Sequence, residues 1–257
     1  MTELNYELTG PADAPVLVLV NSIGTTMAMW DEQLARLGDN FRILRYDHPG
    51  HGASPDPQPE LTVAELARGL YRLIGELEIE RFSMWGISMG GMVAMYIAAH
   101  HSDQIDGLVL AATALGFPSP DPWLQRAEKV RAEGLAAIAP AVMERYFSEP
   151  FRSGHPELVE RFSADLLACS AEGYARCCEA LASWDFEYAA RIAVPTLVLI
   201  GADDAALPAA LTEPVAQAIP GATMQRIANA GHLLNVEQPA EATVAAKRHL
   251  AAARSDA

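Results

Sequence analysis

The sequence predicts an α/β fold, a mostly parallel twisted sheet with helices on both faces and a helical insertion. Three observations carry this. Apolar runs of strand length, such as those over 16–20 and 195–200, are continuous rather than alternating, as parallel strands buried on both faces require. They alternate along the chain with amphipathic stretches of helical length. Between 117 and 188 the strand patterns vanish, and Pro118, Pro120 and Pro122 mark the entrance to that stretch.

Taken in order, strands are expected over 5–8, 16–20 and 41–46, followed by a helix over 63–78. A strand over 82–85 leads into an Ala-, Met- and Ile-rich helix over 88–99, and another strand covers 107–111. The insertion holds helices over 123–133, 135–147, 156–168 and 171–183. The chain then returns to a strand over 196–200, a helix over 208–218, a strand over 223–227 and an Ala-rich helix over 240–252 with a frayed end. This assigns 1–116 and 189–257 to one core domain and 117–188 to a helical cap.

Composition narrows the function. At 257 residues the chain is long enough for one such domain without disulfide support. With 51% hydrophobic and 20% charged residues it reads as globular. A formal net charge of -15 argues against a nucleic-acid partner, since neutralising phosphates needs a basic face. The longest apolar runs are far short of the roughly 20 residues of a membrane-spanning helix, so no membrane association is expected. The amino terminus lacks a basic region followed by an apolar core, so no secretory signal is read. Cys169, Cys177 and Cys178 are odd in number and clustered, which fits reduced thiols in a cytoplasmic protein.

The chemistry is concentrated in Gly86-Ile87-Ser88-Met89-Gly90, a Gly-x-Ser-x-Gly run between an expected strand and an expected helix. That context places Ser88 on a tight turn with its hydroxyl clear of the sheet, and side chains at Gly86 or Gly90 would collide with neighbouring backbone. A serine hydroxyl is a weak nucleophile and needs a base and a group to orient that base. Both are available downstream at strand ends. The run over 195–200 ends in Gly201-Ala202-Asp203-Asp204, and the strand over 223–227 is followed by Asn229-Ala230-Gly231-His232. The residues alone leave both Asp203 and Asp204 open as the orienting acid, each standing just past the strand's end. Among the other histidines, His51 sits in a Gly-flanked turn and reads as a brace near the mouth of the site. No histidine, cysteine or carboxylate spacing suggests a closed metal site, and no metal or cofactor is expected.

These segments resemble the α/β-hydrolases, and within them the 3-oxoadipate enol-lactonases. The order serine, acid, histidine is that of the superfamily's triad. The likeness covers Asn21-Ser22-Ile23-Gly24-Thr25, Met29-Trp30, Arg45-Tyr46-Asp47 with Gly50-His51-Gly52, and Trp85 with the pentapeptide through Val93. It continues in Gly173-Tyr174-Ala175-Arg176-Cys177-Cys178-Glu179 and in Gly231-His232-Leu233-Leu234-Asn235-Val236-Glu237-Gln238-Pro239. The resemblance runs nearly end to end; Pro49 departs from it, standing where many relatives carry Arg.

The resemblance implies opening of an enol-lactone ring through an acyl-enzyme, with Ser88, Asp204 and His232 as triad. Asp204 is favoured because the superfamily's acid stands three residues after the strand-ending Gly and a few before a Pro, as Gly201, Asp204 and Pro208 do, with Asp203 as a solvated neighbour and alternative. The backbone N–H groups of Met89, after the nucleophile, and of Ile23, in the loop after 16–20, would serve as oxyanion donors. Ser22 in that loop reads as a turn cap through its hydroxyl. Such a lactone carries a carboxylate, which an acidic protein repels unless positive charge is supplied locally. Trp123 and Arg126, three apart on one helix face, and Arg145 are the candidates, each with a surface ion pair as its alternative. The expected partner is therefore a small lactone or ester bearing a carboxylate. Other esterases or a cofactor-free perhydrolase of this fold, and more distantly a non-catalytic binding protein, are the alternatives.

Overall fold

The structure is a computed structural model describing residues 4–57 and 60–255. The amino-terminal segment read for a secretory signal lies partly outside the described residues. Seven strands form one sheet: β1 (Tyr6–Thr9), β2 (Val16–Val20), β3 (Arg42–Tyr46), β4 (Phe82–Ile87), β5 (Ile105–Ala111), β6 (Thr196–Gly201) and β7 (Thr223–Ile227). Their order is β1-β3-β2-β4-β5-β6-β7. Only β1 pairs antiparallel, Tyr6 standing opposite Tyr46; every other neighbour is parallel. The two strands with every residue buried, β4 and β6, lie inside the sheet and are covered on both faces. That is the burial their largely apolar sequences require.

The core helices are α1 (Asp31–Leu37), α2 (Val63–Glu76) and α3 (Met89–His100), and the helical insertion between β5 and β6 contributes α4 (Asp121–Glu133), α5 (Ala139–Tyr146), α6 (Glu149–Gly154), α7 (Pro156–Leu167) and α8 (Ala171–Ala182). After β6 come α9 (Ala209–Ala218), the short α10 (Leu234–Glu237) and α11 (Pro239–Ser255). Helix α2 buries Val63, Leu66, Ala67, Leu70, Leu73 and Ile74 at helical spacing, and the Thr62 hydroxyl caps it by accepting from the Glu65 amide. Helix α3 is apolar all round because it is packed between the sheet and α2. Helix α11 packs on β5 and β6 together with α1.

Several elements differ from expectation. Helices α1, α6 and α10 were not anticipated, since segments of that length show too little periodicity to read. The expected helix over 135–147 is divided into a 3-10 turn at Leu135–Ala137 and α5, with Pro140 in the first turn of α5. Proline suits a first turn and disfavours helical backbone just before it. Ser88 is not the start of α3 but precedes it, with φ 57° and ψ -120°. Helix α11 continues to Ser255, three residues past its expected end.

Neighbouring loops meet where the sheet changes direction. From β2 the chain passes to β3 on one side, and β4 lies on the other side of β2. Such a switch point leaves a crevice at the carboxyl ends of the strands. The register sets Val20 beside Gly86, so the loop after β2 and the turn after β4 begin at the same level. The turn is closely packed: a Cβ on Gly86 would lie 2.3 Å from the Gly90 carbonyl oxygen, and one on Gly90 would lie 2.1 Å from that of Val20. The Ser88 amide donates to the Ala111 carbonyl at 2.9 Å and Thr113 Oγ1 donates to the Ser88 carbonyl at 2.8 Å.

Gly90→Ala must therefore push α3 off β2 and is expected to cost ~3 kcal/mol or more in urea unfolding. Gly69→Ala, within α2 where an added Cβ meets nothing within 4 Å, should instead stabilise by about 0.5–1 kcal/mol. Equal effects at the two positions would contradict the packing described.

Candidate active site

Three loops at the carboxyl ends of β4, β6 and β7 bring Ser88, Asp204 and His232 together. His232 Nδ1 lies 3.0 Å from Asp204 Oδ2, and both side chains are almost wholly buried. The second oxygen of Asp204 accepts the amides of Ala206 and Leu207, each at 2.8 Å. A carboxylate so held accepts the Nδ1 proton and leaves Nε2 of the imidazole as the basic nitrogen. Ser88 and His232 line one small cavity of about 40 Å³. Among the described residues the Ser88 hydroxyl has no hydrogen-bond partner, a common condition of such sites before substrate arrives. Asp203 points elsewhere: it is exposed, and its amide donates to the Ala230 carbonyl at 2.9 Å.

The histidine loop is tied to the insertion. The Tyr146 ring stacks on His232 with centroids 5.3 Å apart, and the Leu233 amide donates to the Tyr146 carbonyl at 3.1 Å. Glu237 accepts the amides of Gly231 at 2.9 Å and Ser148 at 3.0 Å, and the Ser148 hydroxyl at 2.6 Å. Neither Tyr146 nor Glu237 was singled out from sequence for such a part. Glu237 lay inside the Asn-Val-Glu-Gln-Pro run that carried the resemblance, whereas nothing local distinguished Tyr146.

The loop after β2 is held at nearly every peptide. Asn21 donates through its side chain to the Tyr46 carbonyl at 2.7 Å and accepts from the Trp30 indole at 2.8 Å. His48 Nε2 lies 2.9 Å from the Asn21 carbonyl. Thr25 Oγ1 donates to the Ser22 carbonyl at 2.8 Å. The Gly24 amide donates to His51 Nε2 at 2.9 Å, and the Tyr146 hydroxyl donates to the Ile23 carbonyl. The brace read for His51 thus extends to this loop. Ser22 differs from expectation: its buried hydroxyl lies beside the Tyr146 phenol, and Thr25 supplies the turn's side-chain bond instead. Ile23 lines the cavity with Ser88. Met89 is the first residue of α3, so its amide has no acceptor within the helix.

On the insertion side the same cavity is lined by Trp123, Arg126 and Arg145. The Arg126 guanidinium lies over the Trp123 ring, 4.6 Å from its centroid, as their spacing on one face of α4 suggested. Neither Arg126 nor Arg145 forms an ion pair among the described residues, whereas Arg131, on the same helix as Arg126, is bonded to both Glu172 and Glu179. Among the described residues no group of three or more His, Cys, Asp or Glu side chains is placed to hold a metal. No helix among them is long and apolar enough to cross a membrane.

Comparison with known proteins agrees with this architecture. The α/β-hydrolase fold family model matches residues 15–239. The chain belongs to the α/β-hydrolases. The 3-oxoadipate enol-lactonase 2 of Acinetobacter baylyi is 38% identical over 237 residues, covering 92% of this chain and 88% of its own. The crystal structure of the enol-lactonase from Burkholderia xenovorans LB400 superposes with a TM-score of 0.94 at 37% identity, covering 97% of each chain. A putative carbamate hydrolase, RutD, of Serratia proteamaculans is 28% identical over 232 residues, 87% of this chain and 86% of its own. This α/β-hydrolase is a carboxylic ester hydrolase similar to the enol-lactonases.

The two histidines under the β2 loop make stability pH-dependent. Burial, with His51 alongside, pulls His48 down to about 3, and burial also lowers His51. Between that value and the ordinary histidine range the unfolded chain binds a proton that the folded state refuses, so stability falls with falling pH. Unfolding free energy measured by urea titration should drop by up to about 3 kcal/mol from pH 6.5 to pH 4 on account of His48. His48→Gln should show a shallower pH profile; an unchanged slope would contradict the assignment.

Proposed function

We propose that this hydrolase opens an enol-lactone bearing a carboxylate, 3-oxoadipate enol-lactone to 3-oxoadipate in the β-ketoadipate route of aromatic catabolism, with 117–188 as a cap over the site. The observation that carries this reading is Arg126, a cation without a carboxylate partner on the wall of the cavity that Ser88 and His232 share. An enzyme of net charge -15 has little general attraction for an anion. A guanidinium held against an indole supplies it locally, gripping a carboxylate through two hydrogen bonds. Similarity to the enol-lactonases points to the same substrate class. The three free thiols, all buried, favour a reducing, cytoplasmic setting.

In this reading His232 Nε2 takes the Ser88 proton as Oγ attacks the lactone carbonyl, while Asp204 holds the imidazole and stabilises its positive charge. The oxyanion forms opposite the N–H groups of Ile23 and Met89. Collapse breaks the ring C–O bond. The leaving oxygen is an enolate, far more stable than an alkoxide, and the proton returned through His232 gives the enol that tautomerises to the ketone. Water, deprotonated by the same imidazole, then attacks the ester on Ser88, and the proton passes back to Oγ as the acid is released. The cap excludes bulk water and sets which acyl group fits.

A carbamate is the second reading, favoured by the RutD relatives; kcat/KM on a carbamate above that on the enol-lactone would select it. Ser88→Ala should lower enol-lactone turnover, followed by loss of its ultraviolet absorbance, by about 10⁴-fold or more. An unchanged rate would remove Ser88 as nucleophile. Arg126→Met should lower kcat/KM by about 10–100-fold for the carboxylate-bearing lactone, mainly through KM, and leave a neutral lactone within about threefold. Equal losses on both substrates would contradict the anion-binding role.

A further inference from the structure

We propose that Tyr146, together with His51, positions the oxyanion donor by clamping the peptide unit between Ile23 and Gly24. This rests on the acyl-transfer reading above. The two groups grip one rigid plane from opposite sides: the Tyr146 hydroxyl, from the insertion, donates to the Ile23 carbonyl, and His51 Nε2, from the loop after β3, accepts the Gly24 amide at 2.9 Å. Because a peptide unit is planar, fixing its carbonyl and its N–H fixes its orientation.

The plane on the other side of the Ile23 Cα is also held. Thr25 Oγ1 bonds the Ser22 carbonyl at 2.8 Å, and in a trans peptide the Ile23 N–H points away from that carbonyl. Ile23 thus sits between two fixed planes, and the direction of its N–H follows. Gly24 needs this support because its φ of 70° lies in a region that glycine enters easily and leaves as easily. Oxyanion donors are effective when they are already aimed before charge develops, so a clamp that prevents reorientation contributes to the transition state and little to the ground state.

Both clamping groups are in the protonation state the geometry needs. Burial holds the Tyr146 phenol up to about 12, so it remains a donor, and lowers His51, so Nε2 remains an acceptor. His51 Nδ1, 3.0 Å from the Pro49 carbonyl, carries the proton. Tyr146 has a second consequence. Its ring stacks on His232 and its carbonyl receives the Leu233 amide. One residue of the insertion therefore touches the base and the oxyanion loop together, so the cap shapes the catalytic geometry besides selecting substrate.

Tyr146→Phe tests the clamp because it keeps the ring on His232 and removes only the hydroxyl. Expected are a kcat about 10–100-fold lower with KM within about threefold, and an equal loss of affinity for an alkylboronic acid, whose tetrahedral adduct on Ser88 puts an oxygen where the oxyanion forms. Affinity for 3-oxoadipate, which needs no oxyanion contact, should stay unchanged, as should the near-ultraviolet circular dichroism. His51→Gln should show the same split between boronate and product. Wild-type kcat in Tyr146→Phe, or parallel losses for boronate and product, would overturn the clamp. Ser88→Ala assayed alongside separates the two failures: an active Ser88→Ala overturns acyl transfer itself, whereas an inactive Ser88→Ala beside a fully active Tyr146→Phe overturns the clamp alone.

Discussion

The close approach of Gly90 to the end of β2 is the constraint on which the site depends. With an added Cβ only 2.1 Å from the Val20 carbonyl oxygen and 2.6 Å from that of Asn21, the first turn of α3 and the loop after β2 form a single packed unit. Ser88 projects from one part of that unit and Ile23 belongs to the other. Their relative placement is fixed by backbone contact, which side-chain motion cannot relax. The positive φ of Ser88, costly for a residue with a Cβ, persists because the surroundings over-determine it: its amide, its carbonyl and both flanking glycines are all engaged.

Beside this unit two chains of polar groups run through buried imidazoles. The Tyr46 phenol, His48 and the Asn21 carbonyl form one chain, and the Pro49 carbonyl, His51 and the Gly24 amide form another. Uncharged imidazoles can be buried without the cost of an ion and still present one donor and one acceptor each. Positive charge is kept for the opposite wall, where Arg126 rests on Trp123. The groups that hold backbone dipoles and the cation on the cavity wall are thus different residues on different elements.

How much of this was legible in the chain depends on the range of the interaction. Strands β2, β4 and β6 were readable because burial on both faces writes a run that is apolar almost throughout, and the Gly-Ile-Ser-Met-Gly turn was readable because both glycines answer to local crowding. Asp204 was distinguished from Asp203 only by a spacing familiar from the superfamily, and in the structure it is Asp204 that lies within hydrogen-bond distance of His232. The short helices α1 and α6 were not readable, nor was the break at Pro140, since a turn or two of helix is decided by tertiary packing. Tyr146 was invisible for a different reason. Its hydroxyl reaches a carbonyl 123 positions earlier in the chain, and no local pattern records so distant a partner. The long-range ties of Glu237 to Ser148 were hidden in the same way.

The account stands or falls on covalent chemistry at Ser88, and its most direct test is to treat the protein with an alkyl fluorophosphonate, which phosphonylates only an activated serine, and to map the adduct by peptide mass spectrometry. The account predicts one adduct per chain, on Ser88, forming at a rate that falls when His232 is replaced by alanine. An adduct on another residue, or a protein that stays unlabelled while it still hydrolyses the lactone, would contradict it.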